Sequence, residues 1–353
     1  MKILKYILLL ILIFVIGGAI YVATLKNSYD VKRTAIIKAP VQVVFDNVND
    51  YKNWPSWSPW LEKDTLAQLT YSDITSGKDA NYSWKSDHKE VGEGSMTTID
   101  AKSFESINQH IKFVAPWESE SDVYWTFKPV AEGTEVTWGM KGEMGFGEKA
   151  FMAFNGGMDK MIGPDYEKGL SKLENVIQAD MKRFSVNVTG VTTHSGGYYI
   201  YNTGSCKIEE FQSKMNEMMP QIDMYVVKNK ITPAGPHFSL YHKVDTENDA
   251  IIFSCAVPVS EKVITEAASG LQIGMLKPFK AVKVVLNGDY KNLEAAWAQG
   301  MKYIKENKLE EAAGIASLEA YPTNPVLVPN PADWITEIYI PVKEYYKPVK
   351  EQN

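Results

Sequence analysis

Arginine is almost missing from this chain of 353 residues: Arg33 and Arg183 are the two arginines among 37 basic residues, and 43 acidic residues bring the formal net charge to −6. Nucleic-acid binders need a basic face for the phosphate backbone. Nothing in this composition supplies one, so no nucleic-acid partner is expected. Cysteine is equally scarce. Cys206 and Cys255 are too few for a disulfide framework or a four-ligand zinc site. They could pair with each other, but buried free thiols are the reading adopted. Also missing are a phosphate loop, a nucleophile–base pair and a metal-ligand cluster, so no cofactor and no metal is expected. Apolar residues are not scarce: 45% of the chain is hydrophobic and 23% charged, which excludes wholesale disorder. At roughly 100–200 residues per domain, the length allows two or three.

Charge is unevenly spread. Residues 1–27 hold three lysines and no acid, for +3; residues 28–180 hold 16 basic and 24 acidic residues, for −8; residues 181–353 hold 18 and 19, for −1. From Tyr6 to Leu25 run twenty residues with no Asp, Glu, Lys or Arg. As a helix this stretch measures roughly 30 Å, the thickness of a bilayer's hydrocarbon layer. Residues 1–27 are therefore read as a transmembrane anchor. A cleaved signal peptide is the competing reading, because Gly17-Gly18-Ala19 offers small residues for a cut; apolar residues continuing through Ile20, Val22 and Leu25 favour the anchor. Lys2 and Lys5 stand against Lys26, Lys32, Arg33 and Lys38 on the other side, so the positive-inside comparison is nearly balanced. A short tail before a long soluble portion places that portion outside the cytoplasm.

Residues 28–180 open with a strand from Val31 to Ala39. Pro40 follows, where a first helical turn tolerates proline. Val41, Val44, Phe45 and Val48 then mark one helical stripe. Trp54-Pro55-Ser56-Trp57-Ser58-Pro59-Trp60 interrupts it with two prolines and three tryptophans. Alternating segments come next: Val123, Trp125 and Phe127 share one strand face and Val136, Trp138 and Met140 another, joined by a turn at Pro129–Thr134. Pro164, Tyr166, Leu170, Leu173 and Ile177 make a closing amphipathic helix.

This order, with Ile36-Ile37-Lys38-Ala39-Pro40, Val44-Phe45, Asp50-Tyr51, the tryptophan-rich segment and the Phe127–Trp138 hairpin, resembles the START-like (SRPBCC) superfamily and its polyketide cyclase-like group. The resemblance implies a helix-grip domain with a cavity between a curved antiparallel sheet and the closing helix. Trp84, Trp117, Trp125 and Trp138 are candidates to line that cavity, and the alternative is that they are core. His88 lies in a solvated polar run, and His110 has no evident carboxylate partner.

Residues 183–346 carry a weak internal repeat. Val186–Val191 is a strand and Ile208–Met219 a helix with Phe211, Met215 and Met218 on one side; strands at Gly235–Tyr241 and Ala250–Pro258 follow. A second round runs through Phe279–Leu286, the helical stripe of Leu293, Trp297, Met301 and Ile304, then Ala316–Tyr321 and Ile335–Pro341. Tyr241 and Tyr321 fall on equivalent places. Two strand–helix–strand–strand units would form one antiparallel sheet with a cleft between their helices, making the whole chain α+β. His237 and His242, five apart, point to opposite faces of one strand and do not share a metal. Residues 347–353 read as a frayed polar tail.

Gly235-Pro236 with Leu240-Tyr241-His242, Gly288-Asp289-Tyr290, Glu319-Ala320-Tyr321 and Thr336-Glu337-Ile338-Tyr339-Ile340-Pro341 closely resemble the landmarks of the GyrI-like, or AraC-type effector-binding, domain. The resemblance implies that Glu337 projects into an aromatic cleft with Tyr241, Tyr290, Trp297 and Tyr321 on or beside it; otherwise Glu337 points to solvent from an edge strand. The side taken by Glu319 stays open. A carboxylate in an apolar site is costly to keep ionised without a partner. An organic cation relieves that cost, and ring faces add cation–π attraction of about 0.5–2 kcal/mol each.

The expected function is a membrane-anchored binding protein for hydrophobic small molecules, cations among them, used in sensing or sequestration. The alternative is a hydrolase or cyclase with Glu337 as general base. A protein partner is not specified by the sequence.

Overall fold

The computed structural model describes residues 2–343, so the tail expected from residue 347 onward lies outside the described residues. Two compact units divide the chain, Met1–Asp180 and Met181–Asn353. Helix α1 (Lys2–Thr24) is long and apolar enough to cross a membrane, a property it shares with signal sequences. Among its described side chains Val22 is the one that is buried.

The rest of the first unit is one sheet wrapped around helices. Strand β1 (Ser28–Ile37) leads to α2 (Val41–Asn49) and, after a 3₁₀ turn at Tyr51–Ser56, to the short α3 (Pro59–Lys63). Strands β2 (Gln68–Tyr71), β3 (Asn81–Lys85), β4 (Glu93–Lys102), β5 (Ser106–Ala115), β6 (Ser119–Val130) and β7 (Gly133–Glu143) follow, then α4 (Phe146–Asn155) and α5 (Met158–Met181). The seven strands lie antiparallel in the order β1-β7-β6-β5-β4-β3-β2. Strict alternation explains why. Val123, Trp125 and Phe127 of β6 and Val136, Trp138 and Met140 of β7 all turn inward, because a period of two puts every second side chain on one face. The α5 stripe Tyr166, Leu170, Leu173 and Ile177 is buried against that face, with Tyr166 stacked on Trp138 at 4.2 Å. This helix starts six residues before Pro164, where the sequence placed its beginning. Proline removes one intrahelical hydrogen bond, and the buried stripe beyond it holds the turn in place.

The second unit is an eight-stranded antiparallel sheet. Its elements are β8 (Ser185–His194), β9 (Gly197–Cys206), α6 (Phe211–Lys228), β10 (His237–Asp245), β11 (Ala250–Val259), β12 (Gln272–Leu276), β13 (Phe279–Asn287), α7 (Leu293–Glu306), β14 (Ser317–Tyr321) and β15 (Ile335–Pro341), in the sheet order β12-β9-β11-β10-β14-β15-β13-β8. The repeat is β9–α6–β10–β11 followed by β13–α7–β14–β15. The opening strand of the first repeat is therefore β9, whereas the sequence suggested the Val186–Val191 segment, which is the edge strand β8. The two halves meet where β10 pairs with β14, and Ser239 lies directly opposite Glu319. Helix α6 packs Met215, Met218, Ile222 and Val226 on the β9–β11 half, and α7 packs Ala296 and Ile304 on the β13–β15 half. Both helices cover one face, leaving a seam between them over the β10–β14 pair.

Candidate functional sites

The seam holds a carboxylate. In β14, Leu318 and Ala320 turn to one face and Glu319 and Tyr321 to the other; pairing of Glu319 with Ile338 puts Glu319 on the helix side. Glu319 is 1% exposed. Trp297 of α7 donates its indole N–H to Oε1 (2.5 Å), the Tyr321 hydroxyl donates to Oε2 (3.0 Å), and the Tyr241 hydroxyl also donates to this carboxylate. Tyr241 lies edge-on to Trp297 at 5.6 Å and tilted against Phe211 of α6 at 5.6 Å, while Tyr290 abuts Tyr321 at 5.8 Å and Trp334 at 4.9 Å. The sequence repeat thus puts Ser239 and Glu319 at the same place in each half, each followed two residues on by a tyrosine. Tyr321 also reaches Ser239, at 3.1 Å.

Burial raises the Glu319 pKa, and the three hydrogen bonds from Trp297, Tyr241 and Tyr321 offset this only in part. All three donors are neutral. Burial, and then the neighbouring Glu319, also drive the Tyr241 and Tyr321 hydroxyls well above the ordinary phenol value, and Tyr290 rises to about 12 for the same reasons. The hydroxyls stay protonated and are donors to the carboxylate. Cys255, on the same face, is a free buried thiol raised to about 12 by desolvation and therefore inert; Cys206 is free as well.

Glu337, the carboxylate expected in the cleft, is on the other face. It neighbours Ile338 in β15, and adjacent strand residues point to opposite sides. Lys283 lies 2.8 Å from Oε1, and Tyr339 donates to Oε2 at 2.6 Å. Partial burial pushes the Glu337 pKa up, but hydrogen bonds from Lys283 and Tyr339 outweigh it and the net shift is downward. A carboxylate held low is a weaker base than a free one. It lines a cavity of about 220 Å³ together with His194, Tyr199, Phe238 and Tyr339. Of the five residues expected around that cleft, Tyr241, Tyr290, Trp297 and Tyr321 lie together, and the carboxylate among them is Glu319 and not Glu337. Phe211 and Trp334 were missed. Phe211 was read as one position of a helical side, and Trp334 sits in the connection between β14 and β15, where no periodicity marks it.

The first unit contains a larger cavity, of about 560 Å³. Trp84, Trp117 and Trp138 line it with Trp54, Trp60 and Tyr166. Trp125 does not. It is fully buried behind Trp138, stacked on it at 4.4 Å, so it is core. Lys63 is among the polar groups of the wall, 3.1 Å from Asp165 and 3.1 Å from Glu90, with Lys89, Glu90 and Asp165 also lining it. The buried indole Nε1 of Trp138 has no protein partner among the described residues. His88 is exposed, as expected. His110, expected to stand alone, faces Asp122 at 3.2 Å and Glu120 at 3.4 Å; both are on β6, and cross-strand register is not visible in a sequence. His237 (to Asp223) and His242 (to Ser254) turn to opposite sides.

Comparison with known proteins separates the same two halves. The family described as polyketide cyclase / dehydrase and lipid transport matches residues 28–178, and that described as GyrI-like small molecule binding domain matches residues 198–343. No curated protein matches. Among solved structures, the chain is similar to the C-terminal domain of EcmrR (17% identity over 46% of this chain and 99% of that one, TM-score 0.40). It is also similar to MLL2253 from Mesorhizobium loti (14%, 43% and 98%, TM-score 0.32) and to SAV2435 bound to tetraphenylphosphonium (11%, 44% and 94%, TM-score 0.33).

Proposed function

Residues 28–178 belong to the polyketide cyclase/dehydrase and lipid transport family and residues 198–343 to the GyrI-like small molecule binding family, and from that premise we propose a membrane-anchored protein that captures hydrophobic molecules, cations among them, for sensing or sequestration. The observation that carries the cationic part is Glu319, which is buried with neutral donors as its hydrogen-bond partners. Such a carboxylate is costly to ionise, and a desolvated organic cation is the partner that removes the cost. The rings of Tyr241, Trp297, Tyr290 and Phe211 add cation–π attraction. They also close the seam, so a ligand enters by displacing Phe211, at the start of α6, and Tyr290, in the 3₁₀ turn before α7. A metal ion, which needs several ligands at fixed distances, is poorly served by one carboxylate among rings.

The cavity of the first unit suits a different ligand. Its volume is within the ~300–1,000 Å³ usual for small-molecule pockets, its wall is mostly aromatic and aliphatic, and Lys63–Asp165 already neutralise each other. It would take an apolar molecule. Calorimetry on the full chain in detergent, titrated with a quaternary aryl ammonium ion and its neutral carbon isostere, tests the cationic site. The ammonium ion should bind, the isostere should not compete for the same site, and Glu319→Gln should abolish the preference. Equal affinity for both ligands, unchanged in Glu319→Gln, would defeat the reading.

A further inference from the structure

The first unit shows a cluster of aromatic side chains on its outer surface. Trp117, at the tip of the β5–β6 hairpin, is 55% exposed and lies edge-on to Phe151 of α4 at 5.6 Å. Phe146 and Phe151 are exposed, and Phe154 is 89% exposed. Solitary exposed rings are common on soluble proteins, but a Trp117–Phe151 contact with Phe146 and Phe154 exposed on the same short helix marks an interaction surface. Two facts say what it meets. Helix α4 packs against α1: the Lys149 ammonium donates to the Leu25 carbonyl (3.3 Å) and to Asn27 Oδ1 (2.9 Å), fastening α4 beside the C-terminal end of the long apolar helix. The patch also borders the larger cavity through Trp117, and the wall of that cavity includes Ala115 and Pro116 of the same hairpin, Met152 of α4, and Met158 and Met161 of α5.

We propose that the mouth of this cavity rests on the bilayer, with Trp117, Phe146, Phe151 and Phe154 inserted at the lipid headgroup level beside the end of α1, so that an apolar ligand passes between membrane and cavity without crossing water. The inference rests on the membrane-anchored reading of α1. Tryptophan and other aromatic rings favour that interfacial depth, and a short helix with one apolar face lies in its plane. The charge of −8 over residues 28–180 argues against attraction to anionic lipid, so the lipid is zwitterionic and the contact is made by rings.

The test uses the full chain reconstituted in phosphatidylcholine vesicles with brominated acyl chains, which quench tryptophan emission on contact. Trp117 is the one tryptophan in the exposed aromatic patch, and α1 contains none. Wild type should lose part of its emission in brominated relative to plain vesicles, and Trp117→Phe should lose that quenched component. Phe154→Ser, at a position that supports no core, should weaken the quenching with Trp117 in place. In the same vesicles, a bilayer-dissolved anthroyloxy fatty acid should accept energy from the cavity tryptophans more slowly in Phe154→Ser, with affinity in detergent unchanged. Flotation with the vesicles reads the anchor separately. A chain that floats while wild type and Trp117→Phe quench alike overturns the docking and leaves the anchor standing; a chain that does not float overturns both.

Discussion

Glu319 and Glu337 show how two carboxylates in neighbouring strands come to opposite chemistry. Glu319 binds its proton more tightly in the folded chain than in the unfolded one, so its contribution is neutral below the ordinary carboxylate range. It becomes unfavourable as pH rises through the raised value. Glu319→Gln removes that penalty. The glutamine carbonyl accepts from Trp297, its amide donates to Tyr321, and Tyr321 turns its own proton to Ser239. The variant should melt a few degrees higher at neutral pH, about 2–4 °C for each kcal/mol relieved at this domain size, and the gain should vanish in acid. A calorimetric scan from pH 4 to pH 8 reads both. Cation affinity should move the other way, rising with pH as Glu319 ionises and releasing a proton on binding. Trp297→Phe keeps a ring but deletes a donor to a buried carboxylate, which costs roughly 1–3 kcal/mol. Glu337 has the reverse sign: its lowered pKa stabilises the fold above the ordinary carboxylate range, and that stability is lost as pH falls from there through the lowered folded value. Its pair with Lys283 is partly solvated, so Glu337→Gln should cost about 1 kcal/mol or less and leave cation binding unchanged. The sequence could not separate the two carboxylates, because β15 has apolar residues on both faces. Thr336, Ile338 and Ile340 meet the helices, while Tyr339 packs on a second core with Phe238, Leu240 and Phe279. With both faces apolar, alternation loses its power to say which is inside.

At the scale of the element, what could be read was periodicity, and what could not was pairing. The hairpin of β6 and β7, the α5 stripe and the α7 stripe were all legible, since each repeats its apolar residues at the spacing of its own backbone. Strands β9 and β12 were not. Gly197–Cys206 contains three tyrosines, two glycines and an asparagine, and it is a strand because β11 and β12 pair with it on either side. Helix α6 was expected to stop at Met219, before Pro220, yet it continues to Lys228. The roughly 3 kcal/mol that a helical proline costs is offset by burying Ile222 and Val226. Packing also explains a glycine. A β-carbon at Gly169 of α5 would lie 2.7 Å from the Trp138 ring and 3.2 Å from Pro59, so the helix approaches the sheet as closely as it does because no side chain intervenes. Gly169→Ala should gain helix propensity and still lose about 1–3 kcal/mol to overpacking. Trp125→Ala, by contrast, removes a fully buried ring from the stack of Phe127, Trp125, Trp138 and Tyr166 and should cost about 3–5 kcal/mol. Urea denaturation with an unchanged m-value would identify both as losses of stability.

For the whole molecule, the two units each have their own sheet and their own buried apolar clusters, and their candidate sites differ in kind. One is an open cavity with a neutralised charge pair in its wall; the other is a closed seam around an unneutralised carboxylate. A ligand stabilises only the unit that binds it, by an amount that grows as RT ln(1 + [L]/Kd). The full chain should therefore unfold in two calorimetric transitions, because cooperative unfolding extends over a core and not across a chain. An aryl ammonium ion should raise one transition, and Glu319→Gln should erase that response while leaving the other transition in place. A neutral apolar ligand should raise the second transition, and Trp84→Ala, which alters the wall of the larger cavity, should change that response alone. A single transition that both ligands raise together would mean that the two sites are coupled through one cooperative unit. The protein would then be an integrator of two signals and not two independent binding domains on one anchor.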